Sequence, residues 1–457
     1  MTSPPDPPTP NPLHMGAGRH VAGSPHPPNL DLSRVDLARW LVSAEAVDWI
    51  AQAETLPDPS SLAAGTALRR DLSPERAAAV LDLVALRRHA VSKLGPLAHR
   101  LFLTHDGLEQ ATRWPVAWWR AKQIGRLGIT QVIDLGCGLG VDSAACLVNG
   151  VTVVGVERDP VTAVYAQANL DGVASMAGAN VESPTPTRAD VITADLDEMD
   201  LDTWLDDPMT GFFLDPARRT SQGRSWKISD MSPSWSWVET LMTRASGPVV
   251  VKLGPGFPRR LLPDTPDITW LSHHHDLVET TVWSTEQAAG THEAVILDPR
   301  DRKGRTPHAG KDGDQSQAIR LSAGAPLPPA GPLGRYLYEP DPAVIRADAI
   351  GTLAGLLQAH PVADGIAYLT GDAWLPTDAA STFAIESTMP WSEKALRQWV
   401  RDDDIGVIEI KTRGIDIDPA ALRRRLKPRG PHHATIVLTP TATGATAVIA
   451  RRLRDED

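Results

Sequence analysis

A β-branched run, Gln131-Val-Ile-Asp-Leu135, ends directly in Gly136-Cys-Gly-Leu-Gly140, and an apolar helical pattern follows. Strand, glycine turn and helix in immediate succession leave few folds open. Glycines at alternate positions let the backbone pass close to a ligand without Cβ interference. The start of the following helix offers unpaired N–H groups to an anionic group. Further short β-branched runs recur at Val151–Val156, Asp190–Ile192, Gly211–Leu214 and Val249–Leu253, separated by helical stretches. Such alternation predicts βαβ units on a parallel sheet, with right-handed crossovers giving a doubly wound, Rossmann-like α/β core. Glu157 closes the second run, 21 residues past Gly136. A carboxylate at that strand end can accept hydrogen bonds from both hydroxyls of a ribose.

A glycine-rich βα turn of this kind can serve several nucleotide cofactors. The dinucleotide fingerprint reads G-x-G-x-x-G; here the turn reads G-x-G-x-G and is preceded by Asp134. That form resembles the first motif of class I S-adenosylmethionine (SAM)-dependent methyltransferases. The resemblance implies that Asp134, Gly136, Gly138 and Gly140 cradle the methionine end of SAM, that Glu157 meets its ribose, and that Asp195 meets the adenine amino group. Cys137 reads as a small residue in the turn. Upstream, Phe102 to Arg113 is placed to fold over the cofactor, with Gln110 and Thr112 reaching the methionine end and Arg113 its carboxylate.

The fourth run delivers Asp215-Pro-Ala-Arg-Arg219 at its carboxyl end, where open α/β sheets place their chemistry. It resembles the Asp/Asn-Pro-Pro-aromatic motif of amino-group methyltransferases, in which the acid or amide and a proline carbonyl accept hydrogen bonds from the target nitrogen. On that resemblance Asp215 and Pro216 are candidate catalytic residues. Ala217 replaces the second proline and Arg218 the aromatic, so base stacking is lost there. Arg218 and Arg219 are candidates for holding a base or phosphate instead. Lys252, at the end of the fifth run, is a candidate for a substrate phosphate or for a structural ion pair. His273-His-His275 reads as a solvated loop, since consecutive strand residues point to opposite faces and cannot converge on a metal.

Around this core the chain divides unevenly. Residues 1–30 hold nine prolines and read as a disordered tail; residues 31–127 read as helical, with Ser73-Pro74-Glu75 a capped helix start and a further helix running from Asp106 through Trp118. The core spans 128–300, residues 301–332 form a Gly/Pro-rich flexible linker, and 333–457 a smaller α+β module. No apolar run reaches the roughly 18 residues of a membrane span, and no signal peptide is read. With only Cys137 and Cys146, neither a disulfide framework nor a zinc site is expected, and the cytoplasm is the expected location.

Charge is segregated. Residues 405–457 carry ten Lys and Arg against six Asp and Glu, a balance of +4, leaving −15 for the remainder of a chain at −11. Arg423-Arg-Arg-Leu-Lys-Pro-Arg429 concentrates it, and Arg424, Arg425 and Lys427 are candidate phosphate contacts. The motifs above occur in order with Tyr338-Glu-Pro-Asp-Pro342, Tyr368-Leu-Thr370 and Ile410-Lys-Thr-Arg-Gly414. As a set they resemble a bacterial, largely actinobacterial, family of class I methyltransferases with a C-terminal THUMP-like domain. THUMP domains proper occur in tRNA- and rRNA-modifying enzymes, so the resemblance implies an RNA substrate. A small-molecule or protein methyltransferase is the alternative, and a SAM-binding regulator without catalysis a further one.

Overall fold

The structure is a computed structural model, and it describes residues 32–178, 188–218, 231–297 and 318–453. The expected tail 1–30 lies outside the described residues. Polar caps set the N-terminal helices. Ser73 Oγ accepts from Arg76 N at 3.3 Å, with Pro74 in the first turn of the helix Pro74–Leu94. Thr104 Oγ1 accepts from Gly107 N at 3.1 Å to start His105–Gln110. The continuous helix expected from Asp106 is broken. Ala111 and Arg113 turn extended, and a new helix, Trp114–Arg126, begins with Pro115 in its first turn. A proline there needs no backbone partner, whereas inside a continuous helix it would remove one.

Among the described residues, eleven strands belong to the core. β1 (Gln131–Leu135), β2 (Thr152–Glu157), β3 (Ala189–Thr193) and β4 (Thr210–Leu214) are followed by a short ribbon of β5 (Ala217–Arg218) and β6 (Met231–Ser232). Then come β7 (Val249–Leu253), β8 (Asp267–His273), β9 (Asp276–Ser284), β10 (His292–Leu297) and β11 (Ile319–Ser322). Apart from the ribbon they form one sheet, ordered β11-β10-β8-β9-β7-β4-β1-β2-β3. The parallel half is as expected, but β9 runs antiparallel to both β7 and β8. The cause is local: β8 and β9 are joined only by His274 and His275, both at positive φ (53° and 63°). A two-residue connection of that conformation can join only antiparallel neighbours. The histidine run is therefore a hairpin tip: the expected loop shrinks to His274 and His275, of which His274 is exposed, and His273 is buried at the strand end.

The expected linker also needs correction. Residues 301–317 lie outside the described residues, but β11 falls within 301–332 and pairs antiparallel with β10, where Arg320 bridges Glu293 at 2.6 Å. Gly- and Pro-rich flanks hide this four-residue edge strand in the sequence.

A second, seven-stranded sheet uses β12 (Tyr336–Pro340), β13 (His360–Pro361), β14 (Leu369–Gly371), β15 (Ala380–Pro390), β16 (Ile405–Thr412), β17 (His432–Thr441) and β18 (Gly444–Arg452). Its first helices, Pro342–Ala347 and Ile350–Leu357, cover the far half of the core sheet. Val344, Ala347 and Leu353 pack with Ile268, Trp270, Ala294 and Ile296. Asp341 caps the first of these helices and also meets His275 at 2.9 Å. The two modules thus share a hydrophobic core. The other half of the core sheet is covered on one face by the N-terminal helices and on the opposite face by Trp235–Arg244.

Candidate active site

The turn after β1 is fixed to the strand beside it. Gly136 N and Cys137 N both donate to Val156 O, at 2.9 and 3.0 Å. Gly136, Gly138 and Gly140 all take positive φ (92°, 55° and 76°), a conformation that L side chains rarely adopt. At Gly136 and Gly138 an added Cβ would meet no protein atom within 4 Å. Bare backbone therefore faces an open cleft of about 520 Å³, within the range of cofactor sites.

The cleft brings together most of the residues singled out in the sequence. Gln110, Thr112, Asp134, Gly136, Gly138, Glu157, Asp195 and Asp215 all line it. Glu157 accepts from Gly138 N at 3.1 Å and from Asp159 N at 2.9 Å, one bond on each oxygen. Each carboxylate oxygen has two acceptor sites, so capacity for a diol remains. Asp195 caps a short 3₁₀ turn, accepting from Asp197 N at 3.1 Å. Gln110 stands exposed at the rim. Lys93 fixes the turn beneath it by donating to the carbonyls of Leu108 and Glu109 at 2.7 and 2.6 Å.

Other candidates are engaged with the protein itself. Asp134 is buried and accepts from Ser143 Oγ. Burial pushes its carboxyl up to about 7, against the pull of the Ser143 hydrogen bond. Thr112 Oγ1 donates to Asp142 at 2.7 Å. Arg113 does not turn into the cleft; it meets His273 Nδ1 at 3.3 Å and Asp276 at 3.7 Å, because an acid on the β8–β9 hairpin lies within its reach. Arg218 contributes backbone to the β5–β6 ribbon, and Arg219 lies outside the described residues. Burial pushes the Cys137 thiol well above its ordinary range, which makes it a poor nucleophile.

The sequence reading missed the charged floor of the site. Arg120, 1% exposed, pairs with both Asp142 and Glu279 and lies over the Phe213 ring at 4.9 Å. Lys252 pairs with Asp215. β4 and β7 run parallel with Leu214 opposite Val251, so Asp215 and Lys252 are the next residues out on each strand. Strand alternation puts them on one face with Phe213 and Val250. A signal for Arg120 was present: a lone arginine among Val116, Ala117, Trp119, Ala121 and Ile124. Ser232 and Pro233 at the end of the ribbon also line the cleft, and no sequence pattern marked them. No group of His, Cys, Asp and Glu that could hold a metal is found among the described residues, and no described helix is long and apolar enough to cross a membrane.

On the second module, Arg423, Arg424 and Arg425 lie in the last turns of the helix Pro419–Leu426 and Lys427 caps it. All four are exposed. Arg425 pairs with Glu393 at 2.9 Å.

A family model described as THUMP domain-like matches residues 380–452, and one described as a domain of unknown function matches residues 34–90. A protein named an uncharacterized S-adenosylmethionine-dependent methyltransferase, found in two strains of Mycobacterium tuberculosis, is 31% identical over 401 residues. That match covers 83% of this chain and 98% of the mycobacterial protein. Among solved structures, a Porphyromonas gingivalis protein assigned as a methyltransferase superposes with a TM-score of 0.69 at 20% identity, over 93% of this chain and 99% of that one. At that identity the likeness speaks for the fold, and the mycobacterial relative for the family. The chain belongs to the S-adenosylmethionine-dependent methyltransferases, among those that carry a THUMP-like segment at their C-terminal end.

Proposed function

We propose that this methyltransferase acts on a base of structured RNA, tRNA or rRNA, which its second module holds. The observation that carries the proposal is the THUMP domain-like segment 380–452 on the same chain as the methyltransferase core, with Arg423, Arg424 and Lys427 exposed on it. Cations presented on one exposed helix end suit a phosphate backbone.

In the core, the backbone of Gly136–Gly140 and Asp134 would hold the methionine end of SAM, with Gln110 and Thr112 over it. Glu157 would take the ribose and Asp195 the adenine. When bound, SAM supplies an electrophilic methyl group. The protein's own task is to bring a neutral N–H nucleophile into line and to favour the positive charge that grows on it. Asp215 and the Pro216 carbonyl would accept that N–H and so aim the lone pair. Three carboxylates (Asp215, Asp142, Glu279) face two cations (Lys252, Arg120) beneath the acceptor end. Arg218 and Arg219 would hold the base or its phosphate.

The test uses tritium-labelled SAM with RNA, protein and metabolite fractions from cells lacking the protein. Label is expected in RNA. With Asp215→Ala it should fall by about 10²–10³-fold, the order of a lost transition-state contact, while SAM affinity stays within about twofold. Label in protein or metabolites alone would replace RNA with the corresponding substrate class. Undiminished transfer by Asp215→Ala would remove that residue from the reaction.

A further inference from the structure

Asp215 leaves β4 on an irregular stretch, and its side chain is 39% exposed. A carboxylate there has rotamers to lose before it can aim at anything. Lys252 removes that freedom. Its ammonium, on a side chain only 13% exposed, is bonded to Oδ2 of Asp215. That leaves Oδ1 on a residue that lines the cleft, whereas Lys252 itself is not among the lining residues.

Lys252 is held in turn by its surroundings. Asp215 faces it from the end of β4, Asp142 from the helix Val141–Val148, and Glu279 from β9. Arg120, from Trp114–Arg126, and Lys93, from Pro74–Leu94, oppose them. Burial alone would lower its ammonium; Asp215 and Asp142 outweigh burial and hold it above the ordinary lysine range. It is thus a hydrogen-bond donor at every working pH, never a base.

We infer that Lys252 is a positioning residue for methyl transfer: by occupying Oδ2 of Asp215 it turns Oδ1 toward the acceptor N–H, and it does not itself touch the substrate. The inference rests on the role proposed above for Asp215, and of the two readings the sequence left open for Lys252, phosphate contact or ion pair, it takes the ion pair. It also predicts that the ammonium matters only through the carboxylate.

The experiment compares wild type, Lys252→Met, Lys252→Arg, Asp215→Asn and the double variant Lys252→Met/Asp215→Asn. Label transfer is followed into RNA, protein and metabolite fractions alike, and SAM affinity is measured on each protein by calorimetry. Lys252→Met is expected to lower kcat by about 10²-fold, the order found when a reacting group is misplaced by about an ångström. KM for the acceptor and the SAM Kd should stay within about threefold. Lys252→Arg, which keeps a cation beside Oδ2, should recover about tenfold of the loss, and a Met variant too unstable to assay leaves this Arg comparison to decide. In the Asp215→Asn background, Lys252→Met should cost less than about threefold more. Unchanged kcat in Lys252→Met, a loss carried by acceptor KM, or an equal loss in the Asp215→Asn background would each overturn the inference. Label in a non-RNA fraction defeats the RNA proposal alone, because the Lys252 comparison runs equally well on that fraction. No label from wild type in any fraction defeats both.

Discussion

The two charged regions of this protein obey different rules. In the core, Arg120, Asp142, Glu279, Lys252 and Asp215 converge under the cleft, and each has an opposite charge bonded to it. At the end of the helix Pro419–Leu426, Arg424 and Lys427 project into solvent with no side-chain partner among the described residues. A buried ion loses several kcal/mol of hydration and must recover it from fixed neighbours. An exposed one loses little on staying single and gains little from pairing. Charge in the core therefore fixes geometry, whereas charge on the second module stays available to a partner.

Breaking the buried cluster should have the largest effect on stability. Arg120→Met removes the cation that is bonded to both Asp142 and Glu279, which are 17% and 2% exposed in their side chains. Leaving buried carboxylates uncompensated costs about 3–5 kcal/mol, readable as a lower urea midpoint. Adding Glu279→Gln should restore part of it. A variant as stable as wild type would show that water reaches these carboxylates.

Asp134 sharpens the comparison by titration. Burial raises its carboxyl to about 7 in the folded protein, while in the unfolded chain it ionises near the usual 3.9. The folded state thus keeps a proton that the unfolded state releases. The stabilisation from that proton is complete below about pH 4 and is lost as pH rises through about 7. Asp134→Asn keeps an acceptor for Ser143 and does not titrate. Its urea midpoint should gain on that of wild type between pH 5 and pH 8, and parallel pH profiles for the two proteins would exclude the proposed titration.

These two regions were not equally legible. The glycine turn, Glu157 and the Asp-Pro step announce themselves because their chemistry is local: a conformation or a strand end within a few residues. Arg120, Asp142, Glu279 and Lys252 come from four elements spread over more than 150 residues. The packing of Trp114–Arg126 and Val141–Val148 on the sheet, together with the register of β7 and β9, brings them to one place. The reversal of β9 was hidden likewise, since a His-His tip lacks the Asn or Gly that marks such turns. In the second module the ordered motifs were visible but their meeting was not. Glu339 of β12 reaches Lys411 of β16, a strand that is not its neighbour, at 2.7 Å and receives the hydroxyl of Tyr368, just before β14, at 3.4 Å.

The smallest effect separates cations that look alike in sequence. Arg424 and Arg425 are adjacent and both exposed, yet only Arg425 has a carboxylate, Glu393, within 2.9 Å. If the second module holds RNA, each phosphate contact adds roughly 0.7–0.9 to the slope of log affinity against log salt. Arg424→Gln with Lys427→Asn should lower that slope by about 1.5 and raise KM for RNA with kcat unchanged. Asparagine tolerates the left-handed conformation that Lys427 adopts at φ 50°, and both sites are exposed, so stability should move by no more than about 0.5 kcal/mol. Arg425→Gln should change the slope less, because its guanidinium must leave Glu393 before it can meet a phosphate. Equal slopes for Arg424→Gln and wild type would mean that this helix end does not carry the RNA. A larger effect from Arg425 than from Arg424 would mean that RNA displaces the Glu393 pair, and that the exposed region is organised by its ion pairs after all, as the core is.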